Sequence, residues 1–210
     1  MTVQETTTAA PSASARPFHL VEPVAAAVDL PSAEEAIRDL LVALGEDPDS
    51  DRLQDTPRRV AAALSELLTA RPFELTTFPN EEGYDELVVA RDIPFHSLCE
   101  HHLLPFRGRA HVAYLPGERI LGLSKLARVV ELFSRRLQVQ ERLTQQIAGW
   151  LQDHLQPKGV GVVLDAEHSC MSLRGVAATG SSTVTSALVG KLRDDPRTRT
   201  EFFALTGFHF

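Results

Sequence analysis

Two short segments of the sequence hold its best candidates for binding a metal ion. The first, residues 95–102, contains one thiol and three imidazoles within eight positions. In it, Cys99 and His102 lie three positions apart, so a single turn can present both side chains to one ion. The second segment places Cys170 two residues after His168. Each of the two cysteines of the chain therefore lies within three residues of a histidine.

Zinc is the metal that best suits Cys99, His102 and Cys170, because it accepts mixed sulfur and nitrogen ligands. Three protein ligands leave a fourth position for water, as in catalytic rather than structural zinc sites. Zinc lowers the pKa of that water to about 7, which makes hydroxide available at neutral pH. The residues alone leave two alternatives open: a structural zinc site completed by His101, and two buried thiols that bind no metal.

The remaining histidines beside these ligands, His101 and His168, are candidates for proton transfer. Imidazole changes its charge near neutral pH, so either side chain could act as a general acid or base. The pattern supports equally well the alternative that both histidines only support the metal ligands.

Candidate anion-binding residues lie in residues 122–128. Ser124 is the predicted N-cap of a helix, and Lys125 and Arg128 follow on one face of its first turns. Cations at a helix N-terminus oppose the helix dipole, which suggests that an anion meets them there. On the pattern alone, a solvated basic helix face is the favoured interpretation.

Three further polar residues could contact a substrate. Glu141 beside Gln140 places a carboxylate and an amide at a helix start, where they could hold the donor-rich edge of a heterocycle, although Glu is common in any first helical turn. Arg174 lies four residues after Cys170, so an alternating strand would place both on one face. A solvated arginine on a sheet face is an equally good interpretation of Arg174.

Hydrophobic periodicity and turn signals predict helices that alternate with pairs of strands. Helices are predicted at about 32–45, 57–67, 124–134, 139–154, 183–192 and 197–205, and strands at 86–93, 109–115, 160–164 and 169–176. Ser32 is the predicted N-cap of the first helix, with Glu35 completing a capping box. This order is typical of an α+β domain with an antiparallel sheet, whose open edges favour self-association.

Composition narrows the class of protein. The 210 residues are 43% hydrophobic, which is typical of a globular chain, and the formal net charge is -7. The acidic balance argues against a nucleic-acid partner, although a pocket for a small phosphorylated ligand can still be positive.

No apolar run could cross a bilayer and no secretory signal is evident, so we expect a cytoplasmic protein with free thiols and no membrane partner. Residues 1–28 are expected to be a disordered tail, followed by one domain over 29–210.

Several long motifs occur together in this chain. In order, they are Asp55-Thr56-Pro57 with Arg59-Val60-Ala61; Ser97 with Cys99-Glu100-His101-His102; Gly122-Leu123-Ser124-Lys125 with Arg128; Gln138-Val139-Gln140-Glu141-Arg142-Leu143-Thr144; and His168, Cys170, Arg174-Gly175, Ser181, Thr183 and Thr185. Over residues 32–205 this set closely resembles the zinc-dependent GTP cyclohydrolase I family.

The resemblance implies an enzyme that opens the imidazole ring of GTP, releases formate and rearranges the ribose. The product would be 7,8-dihydroneopterin triphosphate, which leads to folate or related pterins. The implied architecture is the tunnelling fold, an antiparallel four-stranded sheet with helices on one side over about 84–206, with N-terminal helices over about 31–70. The implied assembly is a homodecamer with active sites at subunit interfaces. Two alternatives are a cyclohydrolase that stops at the formamide and a non-catalytic pterin- or purine-binding protein with structural zinc.

The resemblance also implies a role for each matching residue. The Zn²⁺ ligands are Cys99, His102 and Cys170. The catalytic residues are His168 for ring opening and His101, with Ser124, for the later ribose steps. Glu141 holds the guanine edge, assisted by Gln140. The triphosphate contacts are Lys125, Arg128, Arg174 and, from a neighbouring subunit, Arg59.

Overall fold

The computed structural model describes residues 19–21 and 28–208. Most of the predicted tail and the last two residues lie outside this part of the chain. The N-terminal elements are β1 (His19–Val21), α1 (Leu30–Ala43), α2 (Thr56–Leu68), β2 (Phe73–Leu75) and β3 (Thr77–Pro79). β1, which falls inside the predicted tail, pairs antiparallel with β2, and α1 packs against α2. No helix of the described ranges is long and apolar enough to cross a membrane.

The rest of the chain builds one central sheet and the helices around it. Its elements are β4 (Val88–Cys99), β5 (Pro105–Leu115), β6 (Arg119–Leu121), α3 (Leu123–Ser134), β7 (Leu137–Gln138), α4 (Gln140–Leu155), β8 (Gly159–His168), α5 (Ser169–Ser172), β9 (Thr183–Gly190), α6 (Lys191–Asp194) and α7 (Pro196–Thr206). β6 leaves the central sheet and pairs with β3.

The central sheet has the strand order β7-β4-β5-β8-β9. The four long strands are antiparallel to their neighbours, whereas the two-residue β7 pairs in parallel with the end of β4. The α+β class is therefore confirmed, but the sheet is five-stranded and mixed rather than four-stranded and antiparallel. The fifth strand was missed because a two-residue segment has too few positions to show any periodicity.

The two faces of the sheet carry different helices. On the first face, Val112 and Val162 belong to the main core together with buried residues of α3 and α4. On the second face, Ala113 packs with Leu192 of α6 and Phe202 of α7 in a separate, smaller core. The prediction of helices on one side only is therefore wrong.

Gly161 of β8 explains how α6 and α7 approach the second face closely. A Cβ atom at this position would lie 2.6 Å from Leu192 Cδ2 and 3.0 Å from the ring of Phe202. Any larger residue would push these side chains away from the sheet.

Residues 183–192, predicted to be helical, form the edge strand β9 as far as Gly190. In its first half, half-buried Thr183 and Thr185 alternate with exposed Val184. This two-residue alternation and the β-branched side chains favour a strand. The error was to read a short run with small apolar residues as one face of a helix.

Residues 169–176, predicted to be a strand, form the four-residue helix α5 and an exposed loop. The loop turns at Gly175 and Ala177, whose φ angles are +62° and +49°. The left-handed region is incompatible with an extended strand. Arg174 and Cys170 therefore do not lie on one face of a strand, contrary to the prediction.

Two helix N-caps also differ from the prediction. Asp29 caps α1, since its carboxylate accepts hydrogen bonds from Ser32 N at 3.1 Å and Ser32 Oγ at 2.7 Å. Gly122 is the N-cap of α3, and Ser124 lies in the first turn with its side chain exposed.

Candidate metal centre and active site

Three strands bring the predicted metal ligands to one end of the sheet. β4 and β8 lie on either side of β5 and both run antiparallel to it, so both end at the same edge of the sheet, where β5 begins. Cys99 is the last residue of β4, and Cys170 lies in α5 directly after β8. The turn after β4 closes through the carbonyl of Cys99, which accepts from His102 N at 3.3 Å and Leu103 N at 2.9 Å. The sheet register therefore makes distant residues meet.

The ligand atoms of Cys99, His102 and Cys170 lie within 4.8 Å of one another. Cys99 Sγ is 3.8 Å from His102 Nδ1. Cys99 is buried, Cys170 is half-buried and His102 is exposed, so the group opens to solvent on the His102 side. Both cysteines are free thiols. This group can hold a metal ion.

The electrostatics of the two thiols suit a cation. Burial raises the pKa of Cys170, and the neighbouring Cys99 thiol raises it further, while Arg174 acts in the opposite direction. A metal ion displaces thiol protons and neutralises the charges that the thiolates would otherwise impose on each other. Two thiolates and one imidazole are ligands that suit zinc. The donor set therefore fits the predicted ion.

His101 adjoins the ligand group without belonging to it. Its Nδ1 lies 3.7 Å from Cys99 Sγ, and its exposed ring stands at 82° to the ring of His102. The same thiol therefore contacts both neighbouring imidazoles, and His102 is the one that also lies near Cys170.

His168, the last residue of β8, is held on two sides. Its ring stacks on Phe106 with 4.5 Å between centroids and 4° between planes. Its Nε2 lies 2.7 Å from Gln140 Oε1. Burial lowers the pKa of His168, and the charge of Glu141 partly opposes this shift. Both the plane and the direction of this imidazole are therefore fixed by the protein.

Gln140 and Glu141, adjacent at the start of α4, have different surroundings. Gln140 is 2% exposed, and its amide is bonded inside the protein. Glu141 is exposed, and its charge acts on His168. The structure thus places Glu141 at the open surface beside the site, while the Gln140 side chain is occupied by internal partners.

Among the predicted anion contacts, Arg174 lies nearest the metal ligands. It is exposed in the loop after α5, and its charge partly opposes the rise that burial causes in the pKa of Cys170. Lys125 and Ser124 lie in the first turn of α3. Within the described part of the chain, Lys125 forms no ion pair or side-chain hydrogen bond.

The two other arginines are engaged elsewhere. Arg128 Nη1 donates to Glu131 Oε2 at 3.0 Å, and Arg59 Nη2 donates to Asp55 Oδ2 at 2.8 Å. No hydrogen bond or ion pair of residues 28–208 links either arginine to the metal-ligand group. Each of these two arginines is therefore paired with a carboxylate close to it in sequence.

Residues 33–207 match the sequence model of the GTP cyclohydrolase I family. The chain belongs to this family. It is 52% identical over 179 residues to "GTP cyclohydrolase 1" of Aquifex aeolicus, covering 85% of this chain and 97% of that protein. It is 50% identical over 197 residues to "GTP cyclohydrolase 1" of Deinococcus radiodurans, covering 90% and 91%. A Synechococcus relative with the same description is 54% identical over 179 residues, covering 83% and 78%.

Two contributors to this GTP cyclohydrolase I site could not be found from spacing. Phe106, which stacks on His168, lies on another strand, and no motif links the two positions. Arg142 pairs with Glu100 and also donates to Gln138 Oε1 at 3.0 Å, which ties the turn after β4 to the start of α4. Arg142 lowers the pKa of Glu100. Arg142 belongs to one of the sequence motifs and Phe106 to none, and the contacts of both depend on the fold.

The surface beside the metal ligands is apolar. Met171, Leu173 and Val176 follow Cys170 and are exposed, the last two by 77% and 75%. Contiguous exposed apolar side chains are typical of surfaces that contact other proteins. A cavity of about 620 Å³ lies elsewhere, lined by Pro94, Phe95, His96, Arg107, Gly108, Arg109 and Glu167, and none of the predicted site residues lines it. The apolar loop, rather than that cavity, borders the candidate active site of this GTP cyclohydrolase I chain.

Proposed function

We propose that this protein catalyses the zinc-dependent hydrolysis and rearrangement of GTP to 7,8-dihydroneopterin triphosphate with release of formate. This reaction is the first step of folate and pterin biosynthesis. The observation that carries the proposal is the convergence of Cys99, His102 and Cys170 in a chain that matches the GTP cyclohydrolase I family over residues 33–207.

Cys99, His102 and Cys170 would hold the zinc ion. In a site with three protein ligands, zinc activates water for attack at neutral pH. The chain's own residues set up the rest: β4 and β8 fix the two thiols, and the turn after β4 brings His102 to them.

The proton transfers are assigned to His168 and His101. Opening the five-membered ring of guanine breaks a carbon–nitrogen bond, and the departing nitrogen must gain a proton. His168 is assigned to this step, and the support is that its ring, two residues before Cys170 in sequence, is fixed by Phe106 and Gln140. His101, which contacts Cys99 and is exposed, is assigned to the later ribose steps together with Ser124.

The substrate is held at its two ends. Glu141 accepts hydrogen bonds from the guanine edge, and Gln140 contributes at the start of the same helix. Lys125, Arg128, Arg174 and Arg59 bind the triphosphate. Arginine offers paired donors to phosphate oxygens, and lysine offers a point charge. Since Arg128 already pairs with Glu131, its phosphate contact requires a shared or exchanged partner.

The enzyme assembles as a homodecamer of tunnelling-fold subunits, with active sites at subunit interfaces. In support, both edges of the central sheet are open within residues 19–21 and 28–208: β9 has no outer neighbour there, and β7 covers only the end of β4. The exposed apolar side chains of Met171, Leu173 and Val176 beside the metal ligands would be covered by a neighbouring subunit, which could also supply Arg59. We assign residues 29–210 to the catalytic domain, residues 1–28 to a tail and the protein to the cytoplasm.

The decisive experiment incubates the purified, zinc-loaded protein with GTP and follows formate and pterin absorbance together. Both signals, abolished by a chelator, are the expected result. Formate without pterin would mean a ring-opening hydrolase that stops early. Neither signal, with zinc bound stoichiometrically, would favour a non-catalytic nucleotide-binding protein.

A further inference from the structure

The buried side chain of Gln140 connects His168 to the interior of the protein. Its Nε2 lies 2.7 Å from the Thr183 carbonyl oxygen, 3.1 Å from the Leu164 carbonyl oxygen and 3.1 Å from Thr185 Oγ1. Its Oε1 lies 2.7 Å from His168 Nε2. A side chain that is 2% exposed thus has all its partners within the protein.

The orientation of this amide follows from the chemistry of its partners. The carbonyls of Leu164 and Thr183 can only accept hydrogen bonds, so the amide nitrogen must face them. The opposite orientation would place the amide oxygen against two carbonyl oxygens, neither of which can donate to it, which is costly in a buried place. The amide oxygen therefore faces His168, and an oxygen of this kind can only accept.

Two threonines extend the chain of hydrogen bonds, and each direction in it is determined. Thr144 Oγ1 donates to the Gln140 carbonyl oxygen at 2.7 Å. Thr144 Oγ1 therefore accepts the hydrogen of Thr185 Oγ1, which lies 2.7 Å away. Thr185 Oγ1 in turn is left as an acceptor for Gln140 Nε2. Thr144 is 1% exposed, so solvent does not compete for these bonds.

We propose that Gln140, Thr185 and Thr144 are positioning residues that fix His168 in one tautomer, with its proton on Nε2 and its lone pair on Nδ1. Gln140 Oε1 cannot donate, so His168 Nε2 must carry the hydrogen. The stacked ring of Phe106 fixes the plane of the same imidazole. Any proton that His168 takes up or releases during a reaction then passes through Nδ1 alone. This inference deepens the proposed function, but the tautomer exists whether or not GTP is the substrate.

The direct test locates the proton in the full-length, zinc-loaded protein. Long-range ¹H–¹⁵N spectra of ¹⁵N-histidine-labelled protein distinguish the two neutral tautomers, and the His168→Ala variant identifies the signals of His168. The expected spectrum shows hydrogen on Nε2 and a lone pair on Nδ1. Hydrogen on Nδ1 alone, or two tautomers in comparable amounts, overturns the proposal. This readout needs no turnover, so it stays decisive even if the protein does not act on GTP.

Gln140→Met tests the anchor, because it keeps the length of the side chain and removes both hydrogen-bonding groups. The expected result is a mixture of tautomers and a fall in kcat of about 10-fold to 100-fold, as for other residues that orient a catalytic imidazole. The zinc content should stay the same. Unchanged tautomer and kcat would overturn the role of Gln140.

Thr185→Val and Thr185→Ser form a matched pair that avoids a large change in the core. Valine keeps the shape of threonine and suits a strand, whereas serine keeps the hydroxyl. Because the two carbonyls still hold the amide, valine should lower kcat by only about threefold, within the range for one neutral hydrogen bond. Serine should restore the wild-type kcat. Equal kcat in wild type and both variants would remove Thr185 from the positioning set.

Discussion

The strand-end site and the cationic residues on the helices are organised very differently in a single chain. At the strand ends, Cys99, His102 and Cys170 already lie within 4.8 Å of one another, and His168 is fixed by a stack and a hydrogen bond. The four cations proposed for the triphosphate are dispersed over α2, α3 and the loop after α5. Two of them, Arg59 and Arg128, are occupied by carboxylates of their own helices.

This difference shows which part of the function the fold of one subunit determines. The register of β4, β5 and β8 fixes the metal and proton-transfer groups, because strand pairing leaves no freedom along the strand. The cations instead lie on exposed helical or loop surfaces, where side chains keep their rotamer freedom until a ligand or a neighbouring subunit orders them. The metal-ligand group is therefore arranged within one chain, whereas a common arrangement of the four cations would need a ligand or a neighbouring chain.

The largest expected effect follows from removing a thiol at the strand ends. In Cys170→Ala, one of three ligands is lost, so zinc affinity should fall by more than about 100-fold, the upper range for losing only a supporting residue. Turnover of GTP should disappear with it. Zinc per chain is measured by mass spectrometry after dialysis. His154→Ala is the control, because His154 is exposed and bonded to the Trp150 carbonyl on α4. Full zinc and activity in Cys170→Ala would remove this thiol from the ligand set.

The next effect concerns the apolar loop beside the site. Val176→Asp should disrupt assembly, because burying a charge in an apolar contact costs several kcal/mol. On a free surface the same change would alter stability by only about 0.5 kcal/mol. Sedimentation velocity should show smaller species for Val176→Asp, with reduced activity that recovers at higher protein concentration. Val176→Thr, which keeps the shape, is the control. An unchanged sedimentation profile for the aspartate variant would mean that this loop is not an interface.

A smaller effect, on the affinity for GTP, is expected from removing the charge of Lys125. Lys125→Ala should weaken GTP binding about 10-fold, the range for one hydrogen bond to a charged group, and leave guanosine binding unchanged. Calorimetry in the His168→Ala background, which should bind without turnover, measures both affinities. Lys191→Ala is the control, since Lys191 is exposed on α6 at the second face of the sheet. A constant ratio of the two affinities would exclude Lys125 as a phosphate contact.

The structure brings together the three predicted ligands, and for two of them the sequence information is local. Cys99 and His102 share one turn, and the zinc chemistry of two thiols and an imidazole needs no knowledge of the sheet. The sequence also predicted most helices and the strands β4, β5 and β8, although it ended β4 and β8 too early. Alternation in β4 breaks at a register shift between Ala90 and Ile93, which hid its continuation to Cys99.

The partners of Gln140 could not have been predicted in the same way. They come from α4, β8 and β9, and β9 was itself assigned to a helix. Because the prediction placed residues 183–192 in a helix, no argument could bring the Thr183 carbonyl or the Thr185 hydroxyl to this amide. Contacts that depend on main-chain carbonyls leave no trace in residue type, so only the three-dimensional structure reveals them.

The smallest expected effect tests how firmly Glu131 holds Arg128, one of the four proposed triphosphate contacts, in the free chain. Burial raises the pKa of Glu131, but hydrogen bonds from Arg71 and Arg128 outweigh this, so its pKa lies below the ordinary value. A carboxyl with a lowered folded-state pKa stabilises the fold above its unfolded pKa of about 4.3. That contribution is lost as the pH falls through the lower folded value.

Glu131→Gln should therefore lower the free energy of unfolding by about 1 kcal/mol at neutral pH, since the Arg71 partner is largely exposed. The difference from wild type should shrink towards zero as the pH falls below about 4. Urea titrations at a series of pH values measure it, with the exposed Glu118→Gln as control. A destabilisation that is equal at every pH would show that shape, and not charge, is what Glu131 contributes. No destabilisation at all would show that Arg128 is loosely held even though it has Glu131 as a carboxylate partner.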